Sequence, residues 1–332
     1  MPPSWSLLLA LSLSCGGPAW TQPACADAVP VEPDEPGGDH GSSEWTYERQ
    51  DLWPALFADC GGKGQSPTRL DAALLQFGTP PQLGAAPGLA AGRVHATNTG
   101  HTLQLQLATD EAGGGCGDVG ADTCSARGGS VPVLTLSGAN SPLAGTYHLE
   151  QLHFHWGDPE GAPGSEHRLN GQLADAEAHF VFFDSRYGSI SEAVKHSDGL
   201  AVLAVLLKAS EAEDLKPEQM SWPPLGLQGL LSLLSAPGSR ITVPTDLRPL
   251  LPLLEHALTQ VFSYSGSLTT PPCSPVVRWL VSGRLVAVQP AFLRELSSSL
   301  CSAGPGCRLL QSNRRCLQMR HDRLVVAHVG LG

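Results

Sequence analysis

The sequence predicts a mixed, β-dominated α+β fold: a single domain around a large twisted, mainly antiparallel central β-sheet, with short helices on its surface. Three observations carry this reading. After Trp45, strand-length apolar stretches alternate with Gly/Pro turns along the chain. Only two stretches read as helical, and both are short. No internal repeat or heptad pattern is present.

Taken in order, residues 1–19 resemble a secretory signal, with the apolar run LLLALSL at 7–13 followed by small residues. Cleavage is placed between residues 19 and 26. Residues 20–43 are rich in Pro, Gly, Asp and Glu and form a flexible lead-in. The main domain spans 44–328. Within it, residues 101–107 (HTLQLQL), 148–156 (HLEQLHFHW), 178–183 and 200–207 (LAVLAVLL) read as strands. Residues 192–196 form a short helical turn, and 225–234 (LGLQGLLSLL) a helix. A Gly-rich insertion near 112–129 hangs between two strands.

The 332 residues are enough for a large hydrophobic core, and 42% apolar with 15% charged residues describes a globular chain rather than a disordered one. The net charge of −11 argues against a nucleic-acid partner, because phosphates require a basic surface. No later segment offers about 18 uninterrupted apolar residues, so no transmembrane span is expected. Nine cysteines fit an oxidising compartment and a secreted, extracellular protein. Cys116 with Cys124, and Cys301 with Cys307, could each close a small loop, while the pairing of Cys25 and Cys316 stays open.

The chemistry concentrates in two short segments. In Gln151-Leu152-His153-Phe154-His155, residues two apart share one strand face, so Gln151, His153 and His155 project together. Glu177-Ala178-His179 places a carboxylate and a third imidazole on one face of another strand. If these are antiparallel neighbours, the Gly- and Pro-containing segment between them is a long hairpin loop. Three imidazoles suit one Zn2+ per chain and leave its fourth position open, the catalytic rather than the structural arrangement. Gln151 and Glu177 then accept the remaining N–H of a ligand and fix its tautomer.

At these residues the chain resembles the α-class carbonic anhydrases, from about residue 45 to 326. The matching pieces stand in family order: Gln65-Ser66-Pro67, Thr99-Gly100-His101, QLHFHWG at 151–157, GSEH at 164–167, EAHFV at 177–181, DGLAVLAVLLK at 198–208 and GSLTTPP at 266–272. The resemblance implies reversible hydration of carbon dioxide to bicarbonate and a proton, with zinc on His153, His155 and His179. It also implies that the Thr269 hydroxyl donates to Glu166 and orients the attacking oxygen. An apolar substrate wall of Val181, Val202, Leu268, Val277 and Trp279, with Thr270 beside it, is implied as well.

By the same resemblance His101 is the proton shuttle, a role suited to an imidazole. Tyr47, Thr99 and Gln104 would order pocket water, with Ser66, His167 and Tyr264 as hydrogen-bonded support. Strict alternation groups His101 with Leu103 and Leu105 and sets Gln104 on the other face, so a bulge near Thr102 is expected. Extracellular members pair cysteines at the positions of Cys60 and Cys273, beside the Thr269 loop. The alternative is a catalytically weak, carbonic-anhydrase-like binding or mineral-matrix module. It predicts a lost ligand or long acidic repeats; all three histidines are present, and the acidic run is confined to 32–39.

Overall fold

Period-two alternation makes strands of most of the domain. A computed structural model describes residues 45–330 except 72, 79, 110–131, 139–141, 159, 160, 212–219 and 224. The expected signal, the lead-in, the insertion near 112–129 with Cys116 and Cys124, and Cys25 lie outside the described residues. The strands are β1 (Leu74–Gly78), β2 (Gln82–Ala85), β3 (Gly92–Asn98), β4 (Leu103–Thr109), β5 (Leu134–Gly138), β6 (Gly145–Trp156) and β7 (Ala176–Asp184). They continue with β8 (Leu200–Ala209), β9 (Arg240–Thr245), β10 (Gln260–Gly266), β11 (Val277–Ser282), β12 (Val286–Val288) and β13 (Val326–Gly330).

All belong to one mixed sheet, with the main order β1-β13-β10-β11-β8-β7-β6-β4-β3-β9. Strand β1 is parallel to β13, and β8 is parallel to both β11 and β12. The remaining pairings are antiparallel, as the sequence predicts.

Both faces of the central strands are covered, which explains their continuous burial. Along β7, Ala176, Ala178, Phe180 and Phe182 enter the larger core. The intervening Glu177, His179 and Val181 project to the opposite face, where Val181 joins a second core with Val202, Val277 and Trp279. Eight of the ten β8 residues are buried, because β8 is flanked by β7 on one side and β11 and β12 on the other.

The helices are α1 (Trp53–Leu56), α2 (Ile190–Ala193), α3 (Leu250–Leu258) and α4 (Pro290–Ser299). Helix α3 buries Leu250, Leu253, Leu254, Ala257 and Leu258, a helical-period stripe docked on the larger core. The helix expected at 225–234 does not form. Leu225, Gly226 and Gly229 all take positive φ, which breaks helical propagation, and only a 3-10 turn at Leu231–Leu234 remains. The turn expected at 192–196 appears slightly earlier, as α2. No helix among the described residues is long and apolar enough to cross a membrane.

Phe180 is fully buried on β7 at the middle of the sheet. Phe180→Ala should lower unfolding free energy by about 3–5 kcal/mol, through lost transfer energy and a residual cavity. Leu233→Ala, at a 61% exposed position, should change it by less than about 0.5 kcal/mol. Equal effects in denaturant titrations would contradict this description of the core.

Candidate metal centre

The antiparallel register of β6 and β7 places His153 directly opposite His179 and His155 opposite Glu177. Alternation along each strand turns the three imidazoles to one face. Their ring centroids are 5.1 Å apart for 153–155 and 153–179, and 4.5 Å for 155–179. One nitrogen from each lies within 4.8 Å of the other two.

Every ring has its distal nitrogen held by an acceptor. His153 Nδ1 is 3.0 Å from Gln151 Oε1, His155 Nδ1 is 2.8 Å from the Asn313 carbonyl, and His179 Nε2 is 2.7 Å from Glu177 Oε1. Those contacts set the tautomers and leave His153 Nε2, His155 Nε2 and His179 Nδ1 available to one point. His155 Nε2 is buried with no hydrogen-bond partner. Burial lowers all three imidazole pKa values, that of His155 to about 4, and the like neighbours add to this effect. Three neutral, converging nitrogens are the donor set zinc takes in open, catalytic geometry.

His167, Glu177 and His179 also cluster closely enough to hold an ion. That carboxylate is already saturated. Oε2 accepts from the Glu166 and His167 backbone N–H groups, at 2.9 and 2.8 Å. Oε1 is 2.6 Å from His167 Nδ1 and 2.7 Å from His179 Nε2. Burial alone would raise the Glu177 pKa, but the interactions with His167 and His179 outweigh it and hold the carboxyl well below its usual range. This second group is therefore a hydrogen-bonded support. Beyond it, His167 Nε2 is 2.6 Å from the Tyr264 hydroxyl, which lies 2.9 Å from Ser66 Oγ.

Glu166 sits fully buried beside the histidines, with Oε1 3.5 Å from His155 Nδ1. Burial pushes its pKa up to about 7 and Glu177 adds to the rise, while His179, the Arg315 N–H and Thr269 oppose it. Glu166 Oε2 is buried without a hydrogen-bond partner among the described residues. Thr269 is buried in a tightly fixed loop. Leu268 N donates to Ser274 O, Cys273 N to Thr270 O, and the Cys60–Cys273 disulfide ties the loop to the segment before Gln65. A Cβ on Gly266 would strike Ser66 Oγ, Tyr264 and Trp279, so the approach of these elements requires glycine there.

Val181, Val202, Val277 and Trp279 are buried in one cluster, with Leu268 packed against it and Trp279 4.9 Å from the His179 ring. The apolar residues singled out in the sequence therefore form a wall beside the histidines. Gln104 pairs with His153 across β4 and β6, on the face opposite Leu103 and Leu105. Tyr47 has a buried hydroxyl with no hydrogen bond, and its pKa is raised by burial first and by Glu166 second.

The bulge expected near Thr102 is absent. A turn resolves the conflict instead: Thr99 N donates to Thr102 O, Gly100 takes φ 82°, and β4 begins only at Leu103. His101 precedes the strand, so alternation does not govern its direction. Thr99 Oγ1 accepts from His101 N and Thr102 N, which commits this side chain to the turn. The His101 ring stacks on Trp45, with centroids 3.9 Å apart and planes 11° from parallel.

Three participants escape sequence reasoning. Asn313 holds His155 through its carbonyl, and its side chain binds Trp156 N, Phe154 O and His101 O. Arg315 gives its backbone N–H to Glu166 Oε1, while its guanidinium binds Gln65 Oε1, Ser66 O and Cys60 O. Trp45 supports His101. The Asn313 and Arg315 segment forms no strand or helix, so no periodicity marks it.

The comparisons with known proteins agree with this geometry. Residues 48–329 match the family model described as eukaryotic-type carbonic anhydrase. The chain is 33% identical to carbonic anhydrase 15 of Mus musculus, over 86% of this chain and 83% of that protein. It is 31% identical to carbonic anhydrase 6 of Bos taurus, over 88% and 82%. It is also 31% identical to carbonic anhydrase 12 of Homo sapiens, over 89% and 75%. With nearly the whole described domain matched and the three-histidine cluster in place, the chain belongs to the eukaryotic-type carbonic anhydrase family.

Proposed function

We propose that this protein is a zinc-dependent carbonic anhydrase, catalysing CO2 + H2O ⇌ HCO3− + H+ at His153, His155 and His179. The observation that carries the reading is the convergence of three neutral imidazole nitrogens, each with its distal nitrogen pinned by Gln151, Asn313 or Glu177. Bound zinc supplies a Lewis acid that makes water a nucleophile near neutral pH, chemistry for which carbonic anhydrase is itself the standing example.

The chain's own residues then orient and exclude. Glu166, beside His155 and His179, would be held as a carboxylate by a dipositive charge bound at the histidines. Glu166 accepts a hydrogen bond from the Thr269 hydroxyl, so toward the reacting oxygen Thr269 can only accept. It therefore selects a reacting oxygen that still carries a hydrogen and fixes its direction. Val181, Val202, Leu268, Val277 and Trp279, with Thr270 at the loop, give carbon dioxide a surface without charge to compete for it. His101, on its Asn313-anchored turn, carries the released proton outward, and Tyr47, Thr99 and Gln104 border that route. The Cys60–Cys273 and Cys301–Cys307 disulfides support an extracellular location.

Purified protein should hold one zinc per chain and hydrate carbon dioxide above the buffer rate in stopped flow. His179→Ala should lose the zinc and fall to the buffer rate; a zinc-loaded wild type without activity would sink the proposal. His101→Ala should lower turnover in dilute buffer by about tenfold or more and recover with added imidazole. An unchanged rate would remove His101 from the proton route.

The lowered imidazole pKa values have a defined pH consequence. Below about pH 6.5 the unfolded chain binds protons that the native site refuses. The metal-free fold should therefore lose stability as pH falls from about 6.5 toward 4, with no contribution from these groups above that window. Denaturant midpoints that stay level between pH 7 and 5 would contradict the burial of the three rings.

A further inference from the structure

Strand β6 carries one residue more than its partner. Its pairing with β7 runs from Leu149↔Phe182 to Gln151↔Val181, leaving Glu150 unmatched in a bulge. Tyr147 and Leu149 before the bulge, and Leu152, Phe154 and Trp156 after it, all pack on the larger core. Glu150 and Gln151 lie between consecutive core-facing positions, so both project to the other face. That is the histidine face, as the Gln151–His153 contact shows. The Glu150 side chain is half-buried there, and burial raises its pKa with no hydrogen bond or neighbouring charge among the described residues to offset it. On the neighbouring strand β4 the polar side chains of this face are neutral: Gln104 beside His153, and Gln106 two residues further along.

We propose that Glu150 is a specificity-determining residue of the metal centre: its carboxylate weakens the binding of anions at the three histidines relative to neutral ligands. The inference rests on the metal-centre reading above. It suits the chemistry, since carbon dioxide is uncharged and enters without opposition, whereas the bicarbonate product is an anion that must leave. Three strand residues at about 3.3 Å each put Glu150 roughly 10 Å from His153. Over that distance, at a dielectric between those of water and a protein surface, a unit charge changes the affinity of a monoanion by about fivefold. Because that separation is about one Debye length at 0.1 M salt, the effect should shrink as ionic strength rises.

The test uses the full chain with cobalt(II) in place of zinc, reading ligand binding from the visible spectrum rather than from activity. Thiocyanate serves as the anion, and imidazole at pH 8.5 as the neutral ligand. Glu150→Gln should tighten thiocyanate about fivefold at low salt, leave imidazole within twofold, and converge on wild type in 0.5 M salt. Gln106→Glu, which adds a charge on the neighbouring strand, should weaken thiocyanate by a similar factor and provides a reading if the bulge variant does not fold. Unchanged thiocyanate affinity, or equal shifts for thiocyanate and imidazole, would overturn the proposal while leaving the metal centre intact. Failure of wild type to bind cobalt at the histidines would overturn the metal-centre reading and this inference with it.

Discussion

The buried Glu177 carboxylate organises most of what surrounds the three-histidine cluster. Its two oxygens face two backbone N–H groups from the Glu166–His167 turn and two imidazoles, His167 and His179. An ionised carboxylate in a fully buried position is costly unless its lone pairs are filled, and here all are used. One side chain therefore fixes the tautomer of His179, brings Glu166 to the histidines, and anchors the His167–Tyr264–Ser66 chain that reaches the Gly266 approach. The Arg315 backbone and guanidinium clamp the same region from the opposite side, joining Glu166 to Gln65 and Cys60. Rigidity around the three rings follows from this double attachment rather than from the strands alone.

The sheet divides labour between its faces. Its larger core gathers the alternate apolar residues of β6, β7 and β8, and this burial keeps the strands in register. Register then decides the other face, because a slip of one residue would turn His153, His155 and His179 into that core. The bulge at Glu150 is the local exception. It inserts one residue without disturbing the histidine parity further along β6, and so adds a charge to the histidine face next to the Gln151↔Val181 pair.

Features that depend on short-range periodicity were legible in the residues. The strand positions, the long hairpin loop between the two histidine segments, and the placement of Gln151 beside His153 and Glu177 beside His179 all follow from alternation and reappear in the contacts. What depended on backbone or on distant chain was not. Asn313 holds His155 across 158 residues through a carbonyl that any residue type could supply, so its side chain carries no signal. Leu225–Leu234 has helical composition, yet the positive φ of Gly226 and Gly229 cannot be read from apolar spacing. In α3, Pro252 looks like a breaker but lies in the first turn, where its missing N–H has no helical partner to lose. His101 reads as a strand residue by alternation, yet it lies within the turn that Thr99 closes with Thr102, and β4 begins only at Leu103.

Every proposed role at this site requires that the three pinned histidines hold zinc in an open four-coordinate shell. X-ray absorption at the zinc edge of the purified protein measures this directly. The expected shell is three imidazole nitrogens and one oxygen, all at about 2.0–2.1 Å, with the outer-shell scattering of three rings. A sulfur scatterer at about 2.3 Å, fewer than three imidazoles, or a six-oxygen shell would contradict it.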